Sequence, residues 1–366
     1  MSDLSLTRLV KGKTVSPYLL TAGLVLACGE ACAPESPNSD LESEGTVAFL
    51  EAPLPPPAEW GSLVGEYASN TDTLSLLEDE QIPYVLFWKG GGQSLRPVSD
   101  TTFELTANGG TLTVRRQRDG RVEELALGTS TFRRLSLGGE EGETFQIDPL
   151  RPPVELREEA LAASPPVEDG DFLPSDLVDV TELDPSIRLD VRYASTNNFM
   201  GEVFYSSPRA FLQRPAAEAT IRAHEWLKER GYGLLIHDGY RPWYVTKMFW
   251  DATPEALRNF VADPASGSRH NRGCAVDLTL FDLETGEVVL MPAGYDEMSP
   301  RSHADFPGGT TRQRWYRKLL RDAMEAQGFT VYADEWWHFD HEDWSRYRIG
   351  NEVFEEIGMG GFLPES

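Results

Sequence analysis

Two stretches rich in Pro and acidic residues, at positions 29–57 and at about 138–171, divide this chain of 366 residues into segments that fold separately. Segments of that composition cannot bury enough apolar surface to form a core. The first stretch ends in a Pro-rich run and is predicted to be a tether, and the second is predicted to be a linker. The chain is therefore predicted to contain two domains, at residues 58–137 and 172–366.

The first 27 residues have the composition of a secretory signal. A basic start at positions 8–13 precedes a short apolar run at 19–27, which is followed by Cys28. The run is too short for an ordinary membrane-spanning helix. Its end resembles a bacterial lipobox, in which the Cys is lipidated and becomes the mature N-terminus. The resemblance predicts lipidation of Cys28 and a secreted protein that is lipid-anchored to the bacterial cell envelope, on the periplasmic or outer-membrane face. A plain signal peptide is the alternative.

The net charge of −26 at pH 7 argues against two classes of partner. Nucleic acid and anionic membrane surfaces would be repelled by so acidic a protein. Contact with a membrane is therefore expected only through the N-terminal lipid. The Cys residues, which number three, are too few for a Cys-based metal site. If Cys28 is lipidated, Cys32 and Cys274 remain in different regions of the chain, and a disulfide between them is not expected.

Residues 58–137 have the pattern of a small all-β domain. Short runs such as 84–88 and 111–114 are separated by turns that contain Gly, at 90–92 and 108–110. Runs joined in this way predict an antiparallel sheet or a small barrel. The segment contains no His and no catalytic constellation. It is predicted to be a spacer or a docking module.

After residue 172 the pattern changes to a mixture of helices and strands. Amphipathic helices are predicted over 214–230 and 311–327, and each is followed by a Gly residue. Buried strands are predicted directly after them, at 233–238 and 329–332. The second domain is therefore predicted to be α+β.

Every His of the chain lies in this second domain, at positions 224, 237, 270, 303, 338 and 341. His224 falls within a predicted helix and His237 at the end of a buried strand, so both are interpreted as structural. His303 and His341 are left open between a structural and a functional role. The neighbours of the other two favour metal binding.

The run at 274–280 alternates in character, which is typical of a strand. Apolar residues such as Val276 fall on one face, whereas Asp277 falls on the other, beside small residues. A carboxylate on a face free of bulky side chains is accessible to a metal ion and a substrate. Gly273 would let the backbone turn so that His270 reaches the same ion.

A second cluster combines Glu335 and His338 with the aromatic residues Trp336, Trp337 and Phe339. The aromatic side chains would form a dry wall beside two groups that can bind a metal or transfer protons. Taken alone, each cluster is also compatible with a buried core His and its carboxylate partner.

Together, the two clusters resemble the motifs of zinc D-alanyl-D-alanine dipeptidases and of their relatives, the zinc D,D-carboxypeptidases. The resemblance extends over about residues 183–344, and the segment at 238–242 favours the dipeptidase branch. It implies an α+β catalytic domain with an antiparallel sheet holding a zinc site, preceded here by the small all-β domain. The pattern Ser-x-His-x-x-Gly-x-Ala-x-Asp followed by Glu-x-x-His is carried by Ser268, His270, Gly273, Ala275, Asp277, Glu335 and His338.

The resemblance also implies the roles of the site residues. One Zn2+ ion per chain would be held by His270, Asp277 and His338, which leaves a fourth coordination position open, as in catalytic zinc sites. Glu335 would take the proton of the attacking water and return it to the departing amine. Arg241 would stabilise the tetrahedral oxyanion.

The substrate implied by the resemblance is the D-alanyl-D-alanine dipeptide, hydrolysed to two D-alanines in the cell envelope. Asp296 is expected to bind the ammonium group of this small D,D-dipeptide, and Ser268 and Asp238 are expected to support the pocket. Pro292 and Ala293 depart from the dipeptidase pattern Met-Gly-Thr-x-Phe-Asp. The shape of the pocket is therefore not predicted.

Two other functions are open at this point. One is a zinc D,D-carboxypeptidase that acts on peptidoglycan stem peptides, and the other is a non-catalytic cell-wall-binding lipoprotein with a relict zinc site. The presence of both Glu335 and Arg241 argues against a relict site. For Arg241 itself, an ion pair with Asp238 is the structural alternative to a catalytic role.

Overall fold

The computed structural model describes residues 51–137 and 144–357. The predicted signal, Cys28 and nearly all of the predicted tether lie outside these residues. Within the described ranges, no helix combines the length and the apolar character needed to cross a membrane. The chain forms a closed eight-stranded β-barrel followed by a domain of mixed helices and strands, as the two sequence patterns predict.

The barrel follows a short helix, α1 (Ala58–Gly61). Each of its strands pairs antiparallel with the next, and the last strand pairs with the first through Tyr67 and Arg134. This pairing closes the barrel and leaves it without a free edge. The strands are β1 (Gly65–Ala68), β2 (Thr73–Asp79), β3 (Ile82–Phe87), β4 (Gly92–Ser99), β5 (Thr102–Leu105), β6 (Thr111–Arg116), β7 (Val122–Leu127) and β8 (Ser130–Arg134).

Alternating side chains fill the interior of the barrel. In β6, Leu112 and Val114 are buried while Thr111 and Thr113 are exposed, because successive residues of a strand point to opposite faces. Apolar residues of the other strands, such as Phe132, join them in one core. The cavity lined by barrel residues such as Leu76 and Phe103 has a volume of only about 10 Å³, which is close to the space of a single water. The barrel therefore has a packed interior and not a ligand-binding cavity.

The second domain is built around a five-stranded sheet in the order β10-β12-β13-β15-β14. The edge strand β10 runs parallel to its neighbour β12, and the other neighbouring strands are antiparallel. Strands β9 and β11 form a separate antiparallel pair. The helices are α2 (Pro153–Ala162), α3 (Val180–Leu183), α4 (Arg214–Lys228), α5 (Trp243–Ala252) and α6 (Thr311–Glu325). The strands are β9 (Leu177–Asp179), β10 (Arg188–Leu189), β11 (Phe211–Gln213), β12 (Tyr232–Asp238), β13 (Ala275–Asp282), β14 (Phe329–Val331) and β15 (His338–His341).

Helices α4 and α6 begin at the predicted residues and end two residues earlier than predicted. Gly231 and Gly328 follow them, each with a φ of 85°, a conformation that glycine adopts without the steric cost of a Cβ. The start of α6 is stabilised by a capping box between Thr310 and Gln313. Both helices pack on the face of the sheet that carries Val276 and Leu278. The opposite face of β13, which carries Asp277, is left for the site.

Part of the predicted linker is helical. Leu156 and Ala160 are buried on one side of α2 and pack into an aromatic core that includes Tyr193, Phe204 and Phe249. The apolar stripe of α2 consists of only a few residues between Pro-rich and acidic neighbours. The composition of this segment therefore does not indicate a helix. This aromatic core lies beneath the site described below.

Two buried glutamates join the barrel to the second domain. Glu66 in β1, 2% exposed, binds Arg301 at 3.2 Å. Glu78 in β2, 0% exposed, accepts a hydrogen bond of 2.8 Å from the backbone N–H of Thr311 in the first turn of α6, where a negative charge is favourable. The barrel is therefore docked on the second domain through buried polar contacts.

Candidate active site

His270 reaches the site through a tight turn. It begins a single turn of 3-10 helix, His270–Arg272, which leads through Gly273 into β13. The φ of Gly273 is 68°, and a Cβ at this position would lie 2.5 Å from Leu177 Cδ2. Only glycine satisfies both conditions, so the predicted turn at Gly273 is confirmed.

Asp277 and His338 are direct neighbours on adjacent strands. They are paired across β13 and β15, and side chains opposite each other in an antiparallel pair project to the same face. Asp277 Oδ1 lies 3.1 Å from His338 Nδ1 and 3.3 Å from His270 Nε2. The two His nitrogens are 3.0 Å apart. The three side chains are buried, and their ligand atoms all lie within 4.8 Å of one another.

Each imidazole ring is held by its other nitrogen. His270 Nδ1 lies 2.7 Å from the carbonyl oxygen of Gly239, and His338 Nε2 lies 2.9 Å from Asp340 Oδ1. Asp340 in turn binds Arg269 at 3.0 Å. Because these oxygens accept the ring protons, the nitrogens that face Asp277 carry lone pairs in the neutral rings. This is the tautomer of metal-ligating histidines, and a hydrogen-bonded outer nitrogen is its usual support.

The geometry of this cluster fits a metal cation. Asp277 Oδ1 is buried and has no hydrogen-bond partner among the described residues, which is costly unless a cation satisfies it. Burial lowers the pKa of His338, but the carboxylates of Asp277 and Asp340 raise it well above its usual value. These carboxylates therefore favour a positive charge at this point, which a metal cation would supply. Two imidazole nitrogens and one carboxylate oxygen are a donor set that zinc prefers.

Glu335 stands beside the cluster, in the loop between β14 and β15. Its Oε2 lies 3.6 Å from His338 Nδ1, and it lines the same cavity. Burial raises the pKa of Glu335 to about 7, with His338 opposing the shift and Asp277 adding to it. A carboxylate with a pKa near neutrality is suited to accept and return a proton.

Arg241 follows β12, directly before α5. Its Nη2 lies 2.8 Å from Asp238 Oδ2 and 3.9 Å from Asp277 Oδ2. The ion pair with Asp238, the structural alternative considered for Arg241, is therefore present. The guanidinium also packs over the rings of Tyr193 and Phe249 at 5.1 and 5.0 Å, and Arg241 lines the cavity. Asp238 is completely buried and lies behind Arg241, so it affects the cavity through Arg241.

Asp296 lies on another wall of the cavity, with Tyr193 as its hydrogen-bond donor at 2.8 Å. Its φ of 57° is unusual for a residue with a side chain. Burial, and after it the negative charge of Asp277, raise the pKa of Asp296 well above its usual value. A cationic group in the cavity would lower the pKa of Asp296 again, because it would stabilise the ionised carboxylate. Ser268 also lines the cavity, and its Oγ accepts a hydrogen bond of 3.2 Å from the N–H of His270.

The cavity brings most of the predicted site residues together in a volume of about 250 Å³. This is below the ~300–1,000 Å³ that is usual for pockets of drug-sized ligands. Asp238 is the predicted residue that it leaves out. Those that line it are Arg241, Ser268, His270, Asp277, Asp296, Glu335 and His338.

Three residues that support the site were not among the predicted ones. Tyr295 donates a hydrogen bond of 3.0 Å to Asp277 Oδ2, Asp340 orients His338, and Tyr193 binds Asp296. Tyr193 and Tyr295 lie within residues 183–344, over which the family resemblance extends, but nothing in their spacing indicates these contacts. Asp340 follows His338 by two residues, an alternation that places both on one strand face.

His224 and His237 bind groups of the protein scaffold. His224 Nδ1 accepts a hydrogen bond of 3.0 Å from the N–H of Leu234, and burial lowers the pKa of His224 to about 4. His237 is also buried and stacks on Tyr295 with ring centroids 4.5 Å apart. His341 caps the turn that follows β15, and His303 lies 3.8 Å from Asp334.

Comparisons with known proteins agree with this geometry. A family model described as "D-ala-D-ala dipeptidase", of the peptidase M15 group, matches residues 174–355. The chain is 37% identical to a D-alanyl-D-alanine dipeptidase of Escherichia coli K12, over 49% of this chain and 92% of that protein. It is 36% identical to the dipeptidase of Enterococcus faecium over 43% of this chain and 87% of that protein.

A D-alanyl-D-alanine dipeptidase of Streptomyces coelicolor is 37% identical over 45% of this chain and 90% of that protein. A solved LdcB LD-carboxypeptidase structure covers 53% of this chain and 78% of its own at 19% identity, and its TM-score of 0.28 is too low to support any statement. The three relatives match nearly their whole length, and the chain belongs to the D-alanyl-D-alanine dipeptidase family of metallopeptidases.

Proposed function

We propose that this enzyme hydrolyses the free D-alanyl-D-alanine dipeptide to two D-alanines, with one zinc ion held by His270, Asp277 and His338. One observation carries the proposal: a buried carboxylate, Asp296, shares a small cavity with a cluster of three metal-ligand side chains. A free dipeptide has an ammonium group one residue away from the bond to be cleaved. Asp296 is a suitable partner for that ammonium.

Glu335, Arg241 and the metal ligands have different roles in the proposed reaction. A zinc ion bound to the three ligands would polarise the scissile carbonyl and activate water for attack. Glu335 takes the water proton and returns it to the departing amine, for which its pKa of about 7 is suited. Arg241 stabilises the negative charge that develops on the carbonyl oxygen.

The buried ion pair with Asp238 helps Arg241 to stabilise the carbonyl oxygen, because it fixes the position of the guanidinium. A guanidinium held at 2.8 and 3.0 Å by one carboxylate has a fixed orientation, so little reorganisation is needed when charge develops in the transition state. A catalytic role of Arg241 and its structural ion pair with Asp238 are therefore compatible. Ser268 supports the turn that carries His270 and also lines the cavity.

The proposal is tested by assaying the purified protein with two substrates. We expect release of D-alanine from free D-alanyl-D-alanine, with a kcat/KM well above that for a peptidoglycan stem pentapeptide. The pentapeptide has an acylated amine where the dipeptide has an ammonium, so it provides no charge for Asp296 and must extend beyond the cavity. A preference for the pentapeptide would instead identify a D,D-carboxypeptidase. Lack of activity on both would support the non-catalytic alternative.

We also propose that the enzyme is lipidated at Cys28 and anchored to the cell envelope. The basic start, the apolar run and the position of Cys28 support this location. We expect mass spectrometry of the mature protein from a bacterial membrane fraction to detect a lipidated Cys28 as the first residue. An unmodified N-terminus beyond Cys28, or a retained leader in cytosolic protein, would contradict the proposal. Neither nucleic acid nor a further membrane contact is part of it.

A further inference from the structure

Arg301 connects the barrel to the loop 292–297, which precedes Arg301 in the second domain. Its Nη1 lies 3.2 Å from Glu66 Oε2 on β1 of the barrel. Its Nη2 donates a hydrogen bond of 3.1 Å to the carbonyl oxygen of Pro292, and its Nε lies 3.3 Å from Glu297 Oε1. Arg301, Glu66 and Glu297 are all buried. One guanidinium therefore links a barrel strand to both ends of the loop 292–297.

Glu297 stabilises the loop 292–297 through hydrogen bonds to nearby residues. Its Oε2 accepts a hydrogen bond of 3.2 Å from the N–H of Gly294, and its Oε1 accepts one of 2.5 Å from Ser299 Oγ. Its backbone carbonyl accepts a hydrogen bond from Ser302 Oγ. The residue directly before Glu297 in the chain is Asp296, the proposed ammonium partner. The contacts of Arg301 and Glu297 thus surround Asp296 on both sides along the chain.

The backbone of Asp296 needs such support. Its φ of 57° lies in the left-handed region, which is sparsely populated by residues other than glycine. A residue persists in this conformation only when the surrounding structure holds it there. Tyr193 holds the Asp296 side chain, whereas Arg301 and Glu297 hold the backbone on either side of it.

We propose that Glu66 of the barrel is a positioning residue for the substrate pocket, because it anchors Arg301 and through it the loop that carries Asp296. This inference rests on the proposed function, in which Asp296 binds the substrate ammonium. It makes the barrel a part of the peptidase and not only a spacer. The relatives compared above match less than half of this chain, and the barrel lies outside the matched family region at 174–355.

The chain contains a matched control for this proposal. Glu78 is also buried, also lies on a barrel strand and also binds the second domain, but its partner is Thr311 at the start of α6. Replacing either glutamate removes a buried contact between the barrel and the second domain. If docking only stabilises the protein, the two replacements will have the same consequences. If Glu66 positions the pocket, only its replacement will change substrate binding.

The experiment uses the full chain with zinc bound and compares Glu66→Ala, Glu66→Gln and Glu78→Ala with the parent. We expect Glu66→Ala to raise the KM for D-alanyl-D-alanine by at least about 10-fold, since displacement of a binding group by an ångström can cost up to about 100-fold. The change falls mainly on KM because the ammonium contact is made in both the ground state and the transition state. Glu66→Gln, which retains a hydrogen-bond acceptor, should have a smaller effect. Glu78→Ala should leave KM at the parental value although it lowers the thermal midpoint.

Hydrogen exchange of the amides at 292–297 gives a second readout that does not depend on activity. We expect faster exchange in Glu66→Ala, and exchange at the parental rate in Glu78→Ala. Equal KM values and equal exchange in the two variants would overturn the inference. If the parent does not cleave the dipeptide, the proposed function fails by itself, and the exchange rates alone decide whether Glu66 holds the loop. If Glu66→Ala does not fold, Glu66→Gln takes its place in both measurements.

Discussion

Glu335→Gln is expected to lower kcat for D-alanyl-D-alanine by roughly 10²–10⁴-fold, the usual contribution of a general acid–base group. Glutamine has nearly the same shape but cannot accept the water proton. Glu335 lines the cavity and its Oε2 lies 3.6 Å from His338 Nδ1, beside the cluster and outside the set of three proposed ligands. We therefore expect the variant to keep its fold and its full zinc content. Kinetics and elemental analysis of the same preparation measure both quantities.

The control for this prediction is the double variant His270→Ala, His338→Ala. It removes two of the three proposed ligands and is expected to lose both activity and zinc. The two proteins thus separate the loss of the base from the loss of the metal. Near-parental turnover in Glu335→Gln would remove Glu335 from the mechanism. Full zinc stoichiometry in the double variant would refute the ligand assignment.

Asp296→Ala is expected to reduce kcat/KM for D-alanyl-D-alanine by about 10²-fold to 4 × 10³-fold. An ammonium group that enters a closed pocket without a partner loses its hydration, and an uncompensated buried charge typically costs about 3–5 kcal/mol, of which each 1.4 kcal/mol is tenfold. An N-acylated analogue has no such charge. Its cleavage should change little in the variant, so the ratio of the two substrates measures the effect of Asp296.

Asp296→Asn is the matched control, because it retains the size of the side chain and removes its charge. If charge is the reason for the preference, the Asn variant should behave like the Ala variant. If Asn restores cleavage of the dipeptide, Asp296 acts by shape or hydrogen bonding and not as the ammonium partner. A parent enzyme that prefers the acylated analogue would exclude the dipeptidase assignment while leaving a zinc peptidase.

Much of the site could be predicted because its signals are local. The alternation around Asp277 places it on the face opposite Val276, and β13 has this arrangement. The turn at Gly273 follows from the absence of a side chain at that position. The helices α4 and α6 end near a glycine, where the backbone needs a positive φ. Each of these features is determined by residues close together in the sequence.

The contacts that could not be predicted join residues that are far apart in the chain. Glu66 and Arg301 lie on different domains, and nothing in either segment indicates that they meet. The hydrogen bond from Tyr295 to Asp277 depends on how one loop packs against the sheet. Closure of the barrel depends on the pairing of Tyr67 with Arg134, at opposite ends of the domain. An open sheet and a barrel would therefore have the same local pattern.

The paired strands β13 and β15 carry core residues on one face and site residues on the other. Val276 opposite Phe339 belongs to the core, and the next pair, Asp277 opposite His338, belongs to the site. A slip of one residue in this register would move every side chain of a strand to the other face. It would bury a carboxylate or an imidazole among apolar side chains while a Val or a Phe entered the cavity. Correct pairing of β13 with β15 and assembly of the catalytic centre are therefore the same event, so a chain with the wrong register would be both inactive and unstable.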